Sequence, residues 1–344
     1  MSRKITIKNQ ELLLALQQGI SISSRPFAKF AGEFNVSEPE ILGWLEDLFK
    51  TGAARRLGGI FDSKRLGYRS ALCALRLKTK DEKKVVSEIG RHNGITHCYL
   101  RGWPSDLRKG GGSSISVKIP NLWFTFSEKK DVFEKSLKRF EKKLGAGNIL
   151  VFPSVKRFKV DVIFFSGTEK NISRRHLPKE TRIDKIQFTK RDKQLVRLLQ
   201  GNLPVVSEPF RYLAEKTGFT EKEILCKLKR WKKEGILRRI ALIVRHQKIG
   251  FKANAMCVWN VPENRISSIG RQVSGFRFVT HCYERIEHTS FPYNFYAMIY
   301  ADSWEKLQKL FSRISKSSGL TGGLMLCSLK EYKKTSPVYF SASS

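Results

Sequence analysis

Two stretches of this chain align without a gap. One is Arg55-Arg56-Leu57-Gly58-Gly59-Ile60-Phe61-Asp62-Ser63-Lys64-Arg65-Leu66-Gly67-Tyr68; the other is Arg238-Arg239-Ile240-Ala241-Leu242-Ile243-Val244-Arg245-His246-Gln247-Lys248-Ile249-Gly250-Phe251. Each runs from two Arg through an apolar segment to a basic residue, then to Gly and an aromatic. Landmarks outside the stretch keep nearly the same separation, as His97 does with His281. Self-similarity on that scale marks a duplicated structural unit, so the chain should fold as two like halves, a pseudo-dimer on one polypeptide. The copies differ at one informative place, Asp62-Ser63 against Arg245-His246. This is the difference expected if one copy kept, or gained, the chemistry.

Each half has the same order of elements. Residues 9–51 read as three short helices: the apolar stripe from Glu11 to Gln17, a helix from Arg25 to Phe34, and a third opened by Ser37-Glu38-Pro39-Glu40 and stopped at Gly52. Ser and Glu at that spacing satisfy each other's free amides, and Pro suits a first turn where its missing N–H is not needed. An alternating segment from Ala53 to Phe61 completes a winged helix-turn-helix pattern. Strand, helix, strand, strand, helix and strand follow at 71–77, 81–91, 94–101, 121–126, 129–144 and 149–165, the βαββαβ order of a ferredoxin-like domain.

The second half repeats the programme from Phe188. Its third helix opens with Thr220-Glu221-Lys222-Glu223, and its wing lies at Leu237 to Val244. Strands are expected near 253–261, 277–285, 293–300 and 323–333, with helices near 263–274 and 303–317. The fold class is therefore α+β, a tandem duplication of winged helix-turn-helix and ferredoxin-like βαββαβ domains. Their bounds are 1–66, 67–166, 188–249 and 250–340, with a basic linker over 167–187. The stretch from Gly102 to Pro120, with Lys109-Gly110-Gly111-Gly112, reads as an inserted mobile loop.

Charge narrows the partner. Sixty-five Lys and Arg against thirty-one Asp and Glu leave +34, and self-repulsion on that scale calls for something anionic. Nucleic acid is the commonest such partner; an acidic membrane surface or a multiply carboxylated or phosphorylated small molecule stands behind it. The six cysteines are scattered and form no C-x-x-C pair, which points to reduced thiols and away from a disulfide framework or zinc ribbon. The N-terminus lacks a signal peptide's apolar core, and no apolar run approaches the roughly 18 residues a spanning helix needs. A soluble, cytoplasmic protein is expected.

Three motifs could carry chemistry. The first is Thr96-His97-Cys98-Tyr99-Leu100-Arg101, echoed by Thr280-His281-Cys282-Tyr283-Glu284-Arg285. Strand alternation puts His97, Tyr99 and Arg101 on one face, likewise His281, Tyr283 and Arg285, and turns both cysteines to the other. Adjacent His and Cys therefore cannot form a metal pair. A group titrating near neutrality, a hydroxyl and a fixed cation side by side suit an anionic ligand that must also be protonated. The plain alternative is a sheet interface that satisfies itself; repetition of the set favours a ligand.

The second motif is Arg245-His246 with Lys248, just after the wing. Consecutive cations on a connector are commonly only solvated, but the matching Asp62 and Ser63 are not basic. The third is the closing strand Lys330 to Phe340, matched by Lys156 to Asp161, which reads as one core face and one solvated Lys/Arg row, with ligand contact as the second reading. His92, His176 and His288 read as solvated, with His288 in a loop that could close over a ligand. No P-loop, no G-x-G-x-x-G after a strand, no H-E-x-x-H and no nucleophile elbow is present.

A helix-turn-helix invites a DNA reading, its third helix entering the major groove. In the first copy that helix carries Glu38, Glu40, Glu46 and Asp47 with a single Lys, which phosphate would repel. The second copy is basic, but Trp231 and its leucines suggest packing. A symmetric operator needs two equivalent reading helices, and these are unlike. Duplex DNA is not the expected partner.

Winged helix plus βαββαβ, twice over, resembles the leucine-responsive (feast/famine) regulators along the whole chain. The particular strings look closer to the siroheme decarboxylases, built on that scaffold. They are Leu57 to Tyr68, Thr96 to Arg101 and Asn121 to Phe126 in the first half. In the second they are Val244 to Phe251, Ala253 to Trp259, Thr280 to Arg285, Pro292 to Tyr296 and Tyr332 to Ser336. The first half is similar to one subunit type of that enzyme and the second to its partner, so the chain reads as a natural fusion. The Gly102–Pro120 loop is longer than the family's, which bears on lid length and access.

The resemblance implies a carboxy-lyase that removes carbon dioxide from two acetate side chains of siroheme, giving didecarboxysiroheme for haem or haem d1 synthesis. It implies no cofactor beyond the iron that the substrate brings. Eight carboxylates on siroheme answer to a cationic cavity, and Arg can hold them bidentately. Losing carbon dioxide from a pyrrole acetate needs an electron sink, such as a protonated pyrrole carbon, and then a proton for the new methyl group; a His can supply either. On this reading His246 is the general acid and Arg245 places the reacting carboxylate. His281, Tyr283, Arg285, His97, Tyr99, Arg101 and Lys248 line the pocket, and a role as ligand to the substrate iron is open to any of the histidines. The alternative is a DNA-binding regulator of the leucine-responsive type with a small-molecule effector. Homo-oligomers and contacts with other tetrapyrrole-pathway enzymes stay open.

Overall fold

The structure, a computed structural model, describes residues 7–103, 119–145, 147–164 and 187–341. Most of the expected mobile loop and of the basic linker, His176 included, lies outside the described residues. The first helical triplet is α1 (Ile7–Gln18), α2 (Pro26–Phe34) and α3 (Glu38–Lys50). After the first ferredoxin-like domain come α6 (Lys190–Leu199), α7 (Pro209–Thr217) and α8 (Glu221–Lys233). Both third helices start as their sequences dictate: Ser37 with Glu40, and Thr220 with Glu223, form reciprocal capping boxes. Trp231 on α8 is fully packed away, as its leucine neighbours suggested.

The two wings pair with each other. β1 (Ala54–Phe61) runs antiparallel to β7 (Leu237–Val244), with Gly58 opposite Ala241. This ribbon joins the triplets into one apolar core, in which Leu16, Phe27 and Leu45 meet Leu195, Phe210 and Leu228 around Leu57 and Leu237. Gly58 is required there: a Cβ would collide with the carbonyl oxygens of Leu199 and Gly201, so the end of α6 lies directly on the ribbon.

The first ferredoxin-like domain holds β2 (Tyr68–Leu75), α4 (Glu82–Arg91), β3 (Ile95–Gly102), β4 (Leu122–Lys129), α5 (Phe133–Leu144), β5 (Leu150–Phe152) and β6 (Ser154–Val160). The second holds β8 (Ala253–Trp259), α9 (Glu263–Ser274), β9 (Val279–Arg285), β10 (Phe295–Ala301), α10 (Trp304–Ser318) and β11 (Leu324–Lys334). The sheet order is β5-β2-β4-β3-β11-β8-β10-β9-β6.

Two features differ from the sequence expectation. The strand expected over 149–165 breaks at Pro153, which has no N–H for a ladder, and ends at Val160. The closing strand of each half also serves both halves. β5 pairs with β2 while its continuation β6 crosses to β9; the start of β11 pairs with β8 and its end crosses to β3. Because β5 and β6 are consecutive in the chain yet lie at opposite ends of the order, the sheet closes into a barrel of two stacked halves.

Alternation then sorts the side chains. Cys73, Cys98, Cys257 and Cys282 face the helices. Trp123 and Phe152 meet Met256, Phe291, Tyr296 and Leu326 between the sheets. All six cysteines are free thiols. Among the described residues no helix is long and apolar enough to cross a membrane.

Candidate active site

His97, Tyr99 and Arg101 on β3 and His281, Tyr283 and Arg285 on β9 turn to the barrel interior, while Cys98 and Cys282 between them are fully buried on the helix side. The two ladders are built alike. His97 and Tyr99 lie 6.5 Å apart ring to ring with the Arg101 guanidinium 5.0 Å from the Tyr99 ring. His281 and Tyr283 lie 6.2 Å apart, with Arg285 at 4.6 Å. In each, the preceding threonine hydroxyl engages the histidine Nδ1, Thr96 at 2.8 Å and Thr280 at 3.0 Å. That leaves Nε2 as the nitrogen available to a ligand.

What surrounds the ladders is not alike. β11 sets Lys334 opposite His97, and β6 sets Val160 opposite His281. The next backbone amides donate equivalently, Thr335 to Thr96 O and Asp161 to Thr280 O, so Lys334 matches Val160 and Thr335 matches Asp161. On the β9 side Asp62 accepts from Arg238 at 2.7 Å and from Arg157 at 3.4 Å, and Asp161 accepts from Arg239 at 2.7 Å. On the β3 side Arg55, Arg245 and Lys334 act on one another as like charges, and Glu331 is the carboxylate that offsets them. Both half-sites are therefore cationic: around His281 the Arg285, Arg238, Lys159 and Arg239 charges are offset only in part by Asp62 and Asp161.

His246 sits at the front. It is 3% exposed, on a short 3-10 turn after β7. Its ring stacks on Phe164 and meets the edge of Tyr300. Lys334 Nζ lies 3.0 Å from Nδ1, and the Asn254 amide 3.4 Å from Nε2. Asn254 contacts the Ser328 hydroxyl at 2.6 Å, which accepts from Arg101 at 2.9 Å. A polar chain thus links His246 to the β3 ladder.

Burial sets the proton states. It takes His97 down to about 3, helped by Arg55, Lys334, His281 and Arg101. It takes His246 to about 4, helped by Lys334, and His281 to about 4, helped by Arg285 and Arg238. All three imidazoles are neutral at pH 7. Burial also lowers Lys334, with Arg55 and Arg245 adding to it against Glu331, and raises the Tyr99 hydroxyl.

The structure therefore brings His97, Tyr99, Arg101 and His246 together, with Arg245 exposed at the rim, where it donates to Gly52 O at 3.0 Å. His281, Tyr283 and Arg285 face them, close enough for His281 to lower His97. Lys248 is exposed on the far side of the turn from His246 in sequence, outside this buried set.

Several expectations are corrected. The closing strand is only in part a solvated Lys/Arg row: Lys330 stays exposed while it and Tyr332 bond Glu82, Lys333 caps the carbonyl end of α4, and Lys334 reaches His246. His92 is half-buried on Phe126 and Phe140, and His288 packs on Phe152. Sequence reasoning quoted Lys334, Arg55 and Asn254 within longer strings and gave none of them a role of its own. The signal for Lys334 was there, since it differs in charge from Val160 just as Arg245 differs from Asp62.

Two family models match in duplicate: an AsnC-like ligand binding domain over 65–159 and 248–333, and a siroheme decarboxylase NirDL-like HTH domain over 9–55 and 192–238. The chain is 32% identical to the siroheme decarboxylase of Hydrogenobacter thermophilus over 96% of this chain and 94% of that one. It is 39% identical to the siroheme decarboxylase beta subunit of Methanosarcina barkeri over 42% of this chain and 96% of that subunit. Among solved structures it is similar to the siroheme decarboxylase NirDL in complex with an iron-uroporphyrin III analogue, with TM-score 0.69, 29% identity, and 97% and 95% of the two chains covered. With the duplicated domains, the closed barrel and full-length similarity in agreement, the chain belongs to the siroheme decarboxylase family.

Proposed function

We propose that this protein decarboxylates siroheme, removing carbon dioxide from two acetate side chains, as a carboxy-lyase that fuses two subunit types in one chain. The observation that carries the reading is the cationic lining of the barrel: Arg55, Arg101, Arg245 and Lys334 gather on the β3 side with Glu331, and Arg285, Arg238, Arg239 and Lys159 on the β9 side with Asp62 and Asp161. A polycarboxylate needs an excess of cations, and a buried cation attracts an anion more strongly than an exposed one because less water screens it. Arg245 and Arg55 place carboxylates, and His97, Tyr99 and Arg101, with His281, Tyr283 and Arg285 opposite, line the macrocycle's space. The Lys334–His246 pair is the proton source for the new methyl group. Carbon dioxide leaves with the C–C bond broken, its electron pair passes into the macrocycle, and the methylene carbon takes up one proton.

Preorganised cations at the developing charge supply on the order of 3–4 kcal/mol per donor. The chemistry calls for no group beyond the iron tetrapyrrole itself. A neutral His246 is no ready acid at pH 7, but an arriving polycarboxylate raises the proton affinity of every group it faces. The acidic α3 gives a duplex-binding role no support.

The test is anaerobic incubation of the purified protein with siroheme, read by mass spectrometry, beside a titration with duplex DNA at physiological salt. Products lighter by one and two carbon dioxide are expected. Unchanged siroheme together with tight binding to a defined duplex sinks the reading.

A further inference from the structure

His246 has no ring nitrogen to spare. Nδ1 faces Lys334 Nζ at 3.0 Å and Nε2 faces the Asn254 amide at 3.4 Å, while Phe164 and Tyr300 cover the ring. An ammonium can only donate, so Nδ1 presents its lone pair to Lys334. The Asn254 amide nitrogen faces Nε2, while its carbonyl accepts from the Ser328 hydroxyl, to which Arg101 donates. Reaching a substrate would cost His246 both bonds. Lys334 is differently placed: its side chain is 18% exposed, it lies opposite His97 in the β3–β11 register, and its ammonium, with His246 Nδ1 at 3.0 Å and Glu331 at 3.6 Å, keeps one of its three N–H groups for a ligand.

We propose that Lys334 is the catalytic acid that delivers the proton to the substrate, and that His246 is a positioning residue that aims it. The assignment rests on the siroheme decarboxylase reading above. As the acetate's C–C bond breaks and carbon dioxide leaves, the Lys334 ammonium gives a proton to the methylene carbon. A methyl group forms, the amine is left neutral, and solvent reprotonates it before the second acetate reacts. The groups facing Lys334 are Glu331 on its own strand, Arg55 from β1, His97 from β3, and Arg245 and His246 after β7. Its match in the rear half is Val160, so only the front half can turn over.

The experiment uses the full chain under single turnover with saturating siroheme. Lys334→Arg keeps the charge but not an acid of useful strength, and it should bind siroheme normally while slowing carbon dioxide loss about 100-fold or more. Lys334→Cys in a Cys226→Ser background, alkylated with 2-bromoethylamine, rebuilds a weaker-base amine; it should regain activity with the alkaline limb of the pH–rate profile moved to lower pH. His246→Gln should retain more activity than Lys334→Arg and shift the same limb. A Lys334→Arg rate within threefold of the parent, or an alkaline limb unmoved by the thioether amine, overturns the assignment. No carbon dioxide loss from the unmodified protein instead defeats the underlying function, a distinguishable result.

Discussion

Asp62 accepts a hydrogen bond from Arg238 at 2.7 Å, and the position that matches Asp62 in the other half is Arg245. This exchange of charge, with Lys334 against Val160 and Thr335 against Asp161, sets the two half-sites apart. Burial alone would raise the Asp62 carboxyl, but Arg238 and Arg157 outweigh it and hold it below the ordinary range. Asp62→Asn should cost about 1–3 kcal/mol, because two partly buried guanidinium groups lose their anionic partner. Urea unfolding checks this. The stabilisation is present above the unfolded carboxyl's pKa of about 3.9 and is lost as pH falls through the lower folded value, so the variant and parent should converge in acid.

The buried histidines make a second pH dependence. His246 titrates at about 4 when folded against 6.5 as the ordinary value, so the unfolded chain holds the extra proton between those limits. Stability should therefore be full above pH 6.5 and fall toward pH 4, by up to about 3 kcal/mol from this residue. Imidazole NMR titration of the ligand-free protein should find His97, His246 and His281 still neutral at pH 6. Ordinary titration of all three near 6.5 would contradict the burial argument.

Gly58 can be tested without touching the site. Gly58→Ala pushes a methyl into the backbone oxygens of Leu199 and Gly201, and overpacking of this kind costs about 1–3 kcal/mol. Thermal unfolding should register the loss. An unshifted midpoint would mean that the ribbon and α6 separate freely.

Exposure should rank the cations. Arg55 is half-buried beside His97 and Tyr99, whereas Lys248 is open to water. Arg55→Ala should weaken siroheme binding about tenfold, a change worth about 1.4 kcal/mol, and Lys248→Ala should stay within about threefold because water screens an exposed charge. A Soret titration of each variant separates the two; equal losses would place Lys248 against the substrate.

The amino-acid sequence alone determined the duplication, the order of elements in each half, both capping boxes, and the strand faces that carry His97, Tyr99, Arg101 and their counterparts. Those features rest on local periodicity and short-range hydrogen bonding, which neighbours in sequence fix. It also singled out Asp62-Ser63 against Arg245-His246, since a duplicated chain can be compared with itself. Only the tertiary structure decided that the wings pair with each other, that β6 and the end of β11 exchange between halves, and that Lys334 meets His246 across 88 residues of chain. Pairings of that range depend on how the two halves close into one sheet. Alternation along β11 says which residues share a face, but which histidine Lys334 touches was settled when the strand crossed to β3.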